Sequence, residues 1–414
     1  MPFFTLGLSP ALAAAMAQQF TTPTPVQSAA LGPALGGKDV VVCAQTGSGK
    51  TAAYALAVLQ RWQPPAPHVP RRAQSLVLVP TRELAVQVGA VINTLARAAG
   101  IAAKVSVVFG GVSINPQLMA LRGGTDIVVA TTGRLLDLVD RNAMPLQQVR
   151  CLVLDEADRL LDLGFAEELA RIDALLPAHQ SLLFSATYSA PVRRLAEARM
   201  QSPVEVSIDS DSQPAPAIRQ RAILVDEPRR TQLVRHLLLQ EEWPRVLVFV
   251  ATKYAAEMVA DKLRRAGLSA EPFHAQLSQG KRSQVLADFK ASVVQVVVAT
   301  DVAARGVDIA GLPVVVNYDL PRAAHDYVHR IGRTARAGES GMALSLVSAD
   351  SAAHFALIEK RNGLSLPREV VPGFEPQEAA PRVSLDQAAG GIKGRRPSKK
   401  DKLRAAGPLP PVAG

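Results

Sequence analysis

A chain of 414 residues is longer than one ordinary hydrophobic core serves and fits two or three globular units. Hydrophobic residues make up 48% and charged residues 20%, which excludes wholesale disorder. The formal net charge of +10 suits a polyanionic partner without identifying one.

The two cysteines, Cys43 and Cys151, each lie inside an apolar run, so neither a disulfide scaffold nor a zinc site is implied. The N-terminal residues carry no basic region followed by a long apolar stretch, and no uncharged apolar segment reaches the length of a membrane span. The expectation is a soluble, cytoplasmic protein without a membrane partner.

Apolar β-branched runs alternate with helical stretches through residue 367, which is the pattern of parallel sheets covered by helices on both faces. Strands are predicted at 40–42, 76–79, 127–129, 152–154 and 182–184 in a first domain, residues 1–206. Residues 207–218, with the polar and proline-containing stretch 209–216, read as an exposed linker. A second domain, 219–367, carries predicted strands at 246–250, 294–298, 314–316 and 343–347. Beyond it the signals fade. Residues 368–414 read as a disordered tail, ending in a basic cluster at 393–404 that sets seven Lys and Arg against Asp401.

Ala44-Gln45-Thr46-Gly47-Ser48-Gly49-Lys50-Thr51 follows the first strand and precedes a helix, where backbone N–H groups can face a phosphate. In such a loop Lys50 reaches the β- and γ-phosphates and the Thr51 hydroxyl ligates Mg²⁺. Ala44 stands where many such loops have Gly. A second half of the site needs carboxylates at a strand end, and Asp155-Glu156-Ala157-Asp158 follows the apolar run 151–154. Asp155 is placed to hold Mg²⁺ through water, and Glu156 to activate the attacking water.

With these motifs in order, the sequence resembles the DEAD-box RNA helicases over residues 1 to about 367. The further stretches that carry the resemblance are Thr22-Pro23-Thr24-Pro25-Val26-Gln27, Pro80-Thr81-Arg82-Glu83-Leu84-Ala85, Gly110-Gly111 and Ser185-Ala186-Thr187. They continue with residues 299–308 and His329-Arg330-Ile331-Gly332-Arg333. The resemblance implies an α/β protein of two RecA-like parallel-sheet domains in tandem, joined by a short linker and followed by the basic tail. It implies an RNA-dependent ATPase that uses ATP and Mg²⁺ and separates RNA duplexes locally or remodels RNA–protein complexes.

The resemblance also assigns residues. Gln27 favours adenine, and the match of its carboxamide to the N6 and N7 edge is the chemical reason. An upstream aromatic, Phe3, stacks on the base; the alternative is core packing for Phe3, with Phe4 competing for the role, while Phe20 reads as packing. Gly306 and Asp308 belong to the nucleotide site, Asp308 at the ribose. Arg330 and Arg333, three residues apart, are expected to reach the γ-phosphate together as arginine fingers. Thr81, Arg82, Gly111, Thr131, Arg134 and Thr300 are implied to contact RNA phosphates and 2′-hydroxyls. Ser185, Thr187, Asp158 and His329 are implied to couple hydrolysis to unwinding.

This chain departs from the family at Thr132, where Pro is usual, and at Ala335, where Gly is usual before Arg336. The short basic tail is similar to that of bacterial helicases of the RhlE type, and it reads either as an RNA tether or as a solubilising segment. A DNA helicase and a non-unwinding, ATP-gated RNA clamp are the competing functions. Ribosome-assembly or RNA-decay proteins are the partners to be expected beside RNA.

Overall fold

Runs of Val, Leu and Ile without polar alternation can be buried only between two layers of helix, and here they form two parallel sheets of that kind. The computed structural model describes residues 2–45, 47–208, 218–304, 311–334 and 341–377. In the first lobe β1 (Val40–Cys43), β2 (Ser75–Leu78), β3 (Val105–Val108), β4 (Ile127–Ala130), β5 (Cys151–Leu154), β6 (Gln180–Ser185) and β7 (Val204–Ser207) pair in the order β3-β4-β2-β5-β6-β1-β7. The second lobe holds β8 (Ile218–Leu224), β9 (Val246–Val250), β10 (Ala270–Phe273), β11 (Val296–Thr300), β12 (Val314–Asn317), β13 (Gly341–Val347) and β14 (Arg368–Glu369). Their order is β10-β11-β9-β12-β13-β8-β14.

Register decides what this architecture can do. Cys43 lies opposite Ser185, Leu154 opposite both Leu183 and Leu78, and Leu78 opposite Ala130. The chain therefore leaves β1, β2, β4, β5 and β6 along one edge, carrying the residues that follow each strand to one side of the sheet. In the second lobe Thr300 faces Val250 and Asn317 faces Phe249, so β9, β11 and β12 also end together. Ligand sites in open parallel sheets form at such carboxyl edges.

Local sequence explains how the helices begin. Helix α1 (Pro10–Ala17) is capped by Ser9, and α2 (Pro25–Leu35) by a reciprocal box in which Thr24 and Gln27 bond each other's backbone N–H, with Pro25 in the first turn. Helix α3 (Lys50–Arg61) starts directly after Gly49, whose φ of 92° is left-handed. A side chain at Gly49 would also come within 2.7 Å of Gln27 Nε2, so both conformation and space require glycine. Helix α4 (Arg82–Ala98) is capped by Thr81 Oγ1.

The second lobe extends past the boundary expected at residue 367. Two-residue β14 pairs with β8, and Arg368 bonds Glu359 at 2.6 Å. The Phe374 ring packs against His236 at 5.2 Å and beneath the Arg229 guanidinium at 5.0 Å, and the Gln377 N–H donates to Asp226. Residues 368–377 are thus a strap on the lobe and not part of an unstructured tail, because Val371 and Phe374 give an otherwise polar stretch apolar area to bury. The linker is bounded by β7 and β8, with residues 209–217 outside the described ones.

Truncation after residue 367 is therefore expected to lower the melting temperature of the second lobe relative to truncation after residue 377. The loss should correspond to about 2 kcal/mol, the scale of one aromatic and one aliphatic contact. Calorimetry of the two truncations checks this, and equal melting would show that the strap adds nothing.

Candidate nucleotide and RNA site

The first-lobe edge builds a cavity of about 540 Å³ whose walls include Gln27, Gly49, Lys50, Thr51, Asp155 and Glu156, together with Arg333 of the second lobe. Lys50 is buried, and its ammonium donates to the Ala44 carbonyl and to the Ser185 carbonyl at 3.3 Å. Burial pulls its pKa below the ordinary lysine range, with Asp155 the chief opposing charge. Asp155 is also buried. Its Oδ2 accepts from the Tyr54 hydroxyl at 2.7 Å and its Oδ1 from the Glu156 N–H at 2.9 Å. Desolvation, reinforced by the Glu156 charge, pushes the Asp155 carboxyl up to about 6.

Glu156 sits at φ 49°, ψ 51°, a left-handed conformation unusual for a glutamate, and its carboxylate pairs with Arg159 at 2.6 Å. Asp158 Oδ2 accepts from the N–H groups of Ala186 and Thr187, at 3.2 and 3.1 Å, and from the Thr187 hydroxyl at 3.1 Å. Ser185 Oγ accepts from the Asp158 N–H at 3.3 Å and donates to the Thr187 carbonyl at 2.8 Å. The ends of β5 and β6 are therefore tied into one unit. His329 faces this unit from the second lobe. Burial first, then the Arg159 guanidinium, hold its pKa below the usual histidine value.

Three sequence expectations change here. Phe3 is 1% exposed inside the first-lobe core and does not line the cavity, whereas Phe20, read as packing, is 51% exposed and does. Phe4 is exposed and lies outside the cavity lining. The reason is the 3₁₀ turn Phe3–Thr5, which sends the Phe3 ring into the core while Phe20, past the end of α1, stays at its surface. Arg330 and Arg333 do not both reach the nucleotide cavity; only Arg333 lines it. The Arg330 guanidinium is consumed within the second lobe, bidentate to Asp301 at 2.6 and 2.7 Å, bonded to Asn317 at 3.1 Å and to the Asp319 carbonyl at 2.6 Å, and stacked on Phe249. Three residues on, the chain has left the helix Ala324–Ile331, and Arg333 turns to the cleft. Gln27 lines the cavity, but its carboxamide oxygen accepts from the Thr24 N–H and its nitrogen donates to the Gly49 carbonyl at 3.3 Å, so it also ties the segment to the phosphate loop.

A second cavity of about 500 Å³ brings together Thr81, Arg82, Gly111, Thr131 and Arg134 of the first lobe with Ala275, Arg282 and Val302 of the second. Gly111 has φ 72°, and a side chain there would collide with the Arg82 guanidinium. Arg134 keeps one buried nitrogen, Nη1, without a hydrogen-bond partner. Thr300 ends β11 and is not in this lining. Gln45 and Ser48 follow β1 in the loop, where Ser48 Oγ donates to the Gln45 carbonyl, and Gly47 lines the nucleotide cavity. Thr46, Gly306 and Asp308, like Ala335 and Arg336, lie outside the described residues. Thr132 begins the helix Thr132–Asp140 and the backbone continues normally through it, so the missing Pro leaves the loop intact.

Sequence reasoning missed Tyr54, Arg159 and Arg282. Arg282 pairs with Glu83 across the lobes at 2.7 Å, each side chain less than one-tenth exposed. Tyr54 lies one helical turn beyond Lys50, and that spacing was its only signal.

The DEAD/DEAH box helicase family model matches residues 24–195, and the helicase conserved C-terminal domain model matches residues 229–338. The DEAD-box ATP-dependent RNA helicase CshA of Bacillus licheniformis is 38% identical over 370 residues, covering 89% of this chain and 75% of the relative. The chain belongs to the DEAD-box helicase family. It is an ATP-dependent RNA helicase, and its two sheets are RecA-like domains in tandem. S. cerevisiae Dbp5 bound to RNA and ADP BeF3 superposes with a TM-score of 0.78 at 31% identity, over 89% of this chain and 95% of Dbp5. A point variant of Dbp5 bound to Nup159, a Gle1 variant, IP6 and ADP gives 0.59 at 28% identity, over 88% and 96%. Among the described residues no helix is long and apolar enough to cross a membrane.

The raised Asp155 pKa has a stability consequence. Ionising the buried carboxyl costs the folded state above pH 6, while the unfolded chain ionises near pH 4, so the native protein loses stability as pH rises through that window. The loss is up to about 3 kcal/mol. Melting followed from pH 4 to pH 8 should fall relative to the same series for Asp155→Asn, which lacks the titration; parallel curves would contradict it.

Proposed function

We propose that ATP is gripped from both lobes and that its hydrolysis releases a closed arrangement that bends RNA. The presence of Arg333 in one cavity with Lys50, Asp155 and Glu156 is the observation that carries this reading. In it Lys50 holds the β- and γ-phosphates in place of the Ala44 and Ser185 carbonyls, Glu156 orients and deprotonates the attacking water, and Arg333 covers charge developing on the γ-phosphate. Phe20 replaces Phe3 as the aromatic beside the base, and Gln27 offers its carboxamide edge to adenine. Arg330, locked to Asp301, holds the segment that carries Arg333 and does not itself reach phosphate.

The residues fit Mg²⁺. Asp155 is a buried carboxyl whose raised pKa marks charge that the protein alone leaves poorly compensated, and Thr51 shares its cavity. Among the described residues no group of three or more His, Cys, Asp or Glu forms a metal cage, which suits an ion held largely by phosphate oxygens and water. Thr51 and Asp155 are the residues that would hold Mg²⁺, which would neutralise phosphate charge when bound.

RNA is assigned to the cavity lined by Thr81, Arg82, Gly111, Thr131 and Arg134, with Thr300 outside its wall. Such groups contact phosphates and 2′-hydroxyls, so sequence preference is slight and RNA is favoured over DNA. The bonds among Asp158, Ser185 and Thr187 support a coupling unit between the two sites, with His329 opposite. The basic cluster at residues 393–404 supports a bacterial helicase of the RhlE type, acting in the cytoplasm on structured RNA alongside ribosome-assembly or RNA-decay proteins.

Glu156→Gln should bind ATP and RNA normally and turn over at least about a thousandfold more slowly. Normal hydrolysis in that variant would sink the assignment. Phe20→Ala should raise KM for ATP by roughly tenfold, the scale of a stacking contact, with folding intact, whereas Phe3→Ala should act chiefly through stability. Fluorescent-nucleotide titration beside calorimetry separates the two, and unchanged affinity in Phe20→Ala refutes the stacking role.

A further inference from the structure

We propose that Arg159 is a positioning residue for hydrolysis: it aims the Glu156 carboxylate from within the seam between the lobes, so the aim of the base depends on lobe closure. The inference rests on the reading of Glu156 given above.

The Glu156 backbone is pinned by its N–H bond to Asp155, in a left-handed conformation just ahead of the helix Ala157–Asp162. Its side chain still has rotatable bonds, and a carboxylate free to explore them is poorly aimed. Arg159 Nη1 removes that freedom by bonding Glu156 Oε2 at 2.6 Å, with the two side chains 10% and 13% exposed. Nothing in the helix requires this bond, because the first turn is already closed by the Arg159 and Leu160 N–H groups donating to the Glu156 carbonyl. The side-chain pair is an addition directed at the carboxylate.

What shields the pair is the other lobe. Arg159 lines a small cavity with Asp301, Asp326, His329, Arg330 and Arg333, all second-lobe residues. It holds about 10 Å³, barely room for one water. Asp301 and Asp326 share this lining with Arg159, Arg330, Arg333 and His329; Asp301 pairs with Arg330, and Glu156 with Arg159. An ion pair sealed this way holds its geometry. The same pair in water is worth little and competes with solvent and other rotamers. Parting the lobes exposes Arg159, loosens its hold, and leaves Glu156 poorly aimed at the attacking water. Closure thereby affects the base on the first lobe as well as delivering Arg333 from the second.

The test is RNA-stimulated ATP turnover by the full-length chain, with Arg159→Ala, Arg159→Lys and Glu156→Gln measured in parallel. Arg159→Ala should lower kcat by roughly tenfold or more while KM for ATP stays within about twofold, the signature of lost orientation and not of lost binding. Arg159→Lys, which keeps one charged donor, should restore kcat to within about threefold of the parent. If the alanine variant does not fold, Arg159→Met, which keeps the apolar stem without the charge, takes its place with the same expected loss. A parent-like kcat in the uncharged variant overturns the proposal. So does a lysine variant that melts like the parent yet restores nothing. Normal turnover in Glu156→Gln would instead remove the reading beneath it, and an inactive Glu156→Gln beside a fully active Arg159→Ala would remove the positioning role alone.

Discussion

The chemistry depends on the two sheets meeting edge to edge, and the buried ion pair between Glu83 and Arg282 is the clearest contact that sets this meeting. Both side chains are almost wholly covered, and Arg282 also donates to the His274 carbonyl at 3.0 Å and lies over the Phe273 ring. Burying two charges gains little net energy, but leaving either one unpaired is costly, so such a pair favours one arrangement over all near alternatives. Glu83 belongs to the same short stretch as Thr81 and Arg82. The contact that seats the second lobe is therefore part of the wall of the cavity proposed for RNA.

That adjacency gives the helicase a physical route for coupling. The loops after β1 and β5 line the proposed nucleotide cavity, with the end of β6 tied to that of β5; those after β2 and β4 line the cavity proposed for RNA, and second-lobe residues complete both. A ligand in either cavity that binds better between closed lobes shifts the same equilibrium, so each must favour the other by linkage. The bonds from Asp158 to Ala186 and Thr187 hold two of these strand ends as one body, which limits how far one cavity can rearrange alone.

Much of the fold was legible because parallel strands buried on both faces carry unmistakable β-branched runs. The central strands β1, β2, β4, β5, β6, β9, β11, β12 and β13 were all found. The strands that escaped were β3, with alternating burial, the edges β7, β10 and β14, and β8, whose Ile218–Leu224 run mixes Arg and Gln with apolar residues. Pro272 in β10 further masks the signal, and an edge strand tolerates it. The strap 368–377 was read as tail because its apolar content is only Val370, Val371 and Phe374 among polar neighbours, and what Val371 and Phe374 pack against is distant in sequence.

The sequence by itself determined which residues lie at strand ends, since a phosphate loop and an acidic cluster must each follow a buried strand to meet their ligands. It also determined the family, through the order of motifs. Direction and partnership were decided only by tertiary structure. Whether Phe3 or Phe20 faces the cleft follows from how one short turn packs, and whether Arg330 or Arg333 faces it follows from the helix ending between them and from Asp301 claiming the first. Arg159 and Arg282 gain their importance from groups more than a hundred residues away. Spacing along a chain records which local element a residue belongs to, but a side chain's partner is set by the packing of elements that the chain joins at long range.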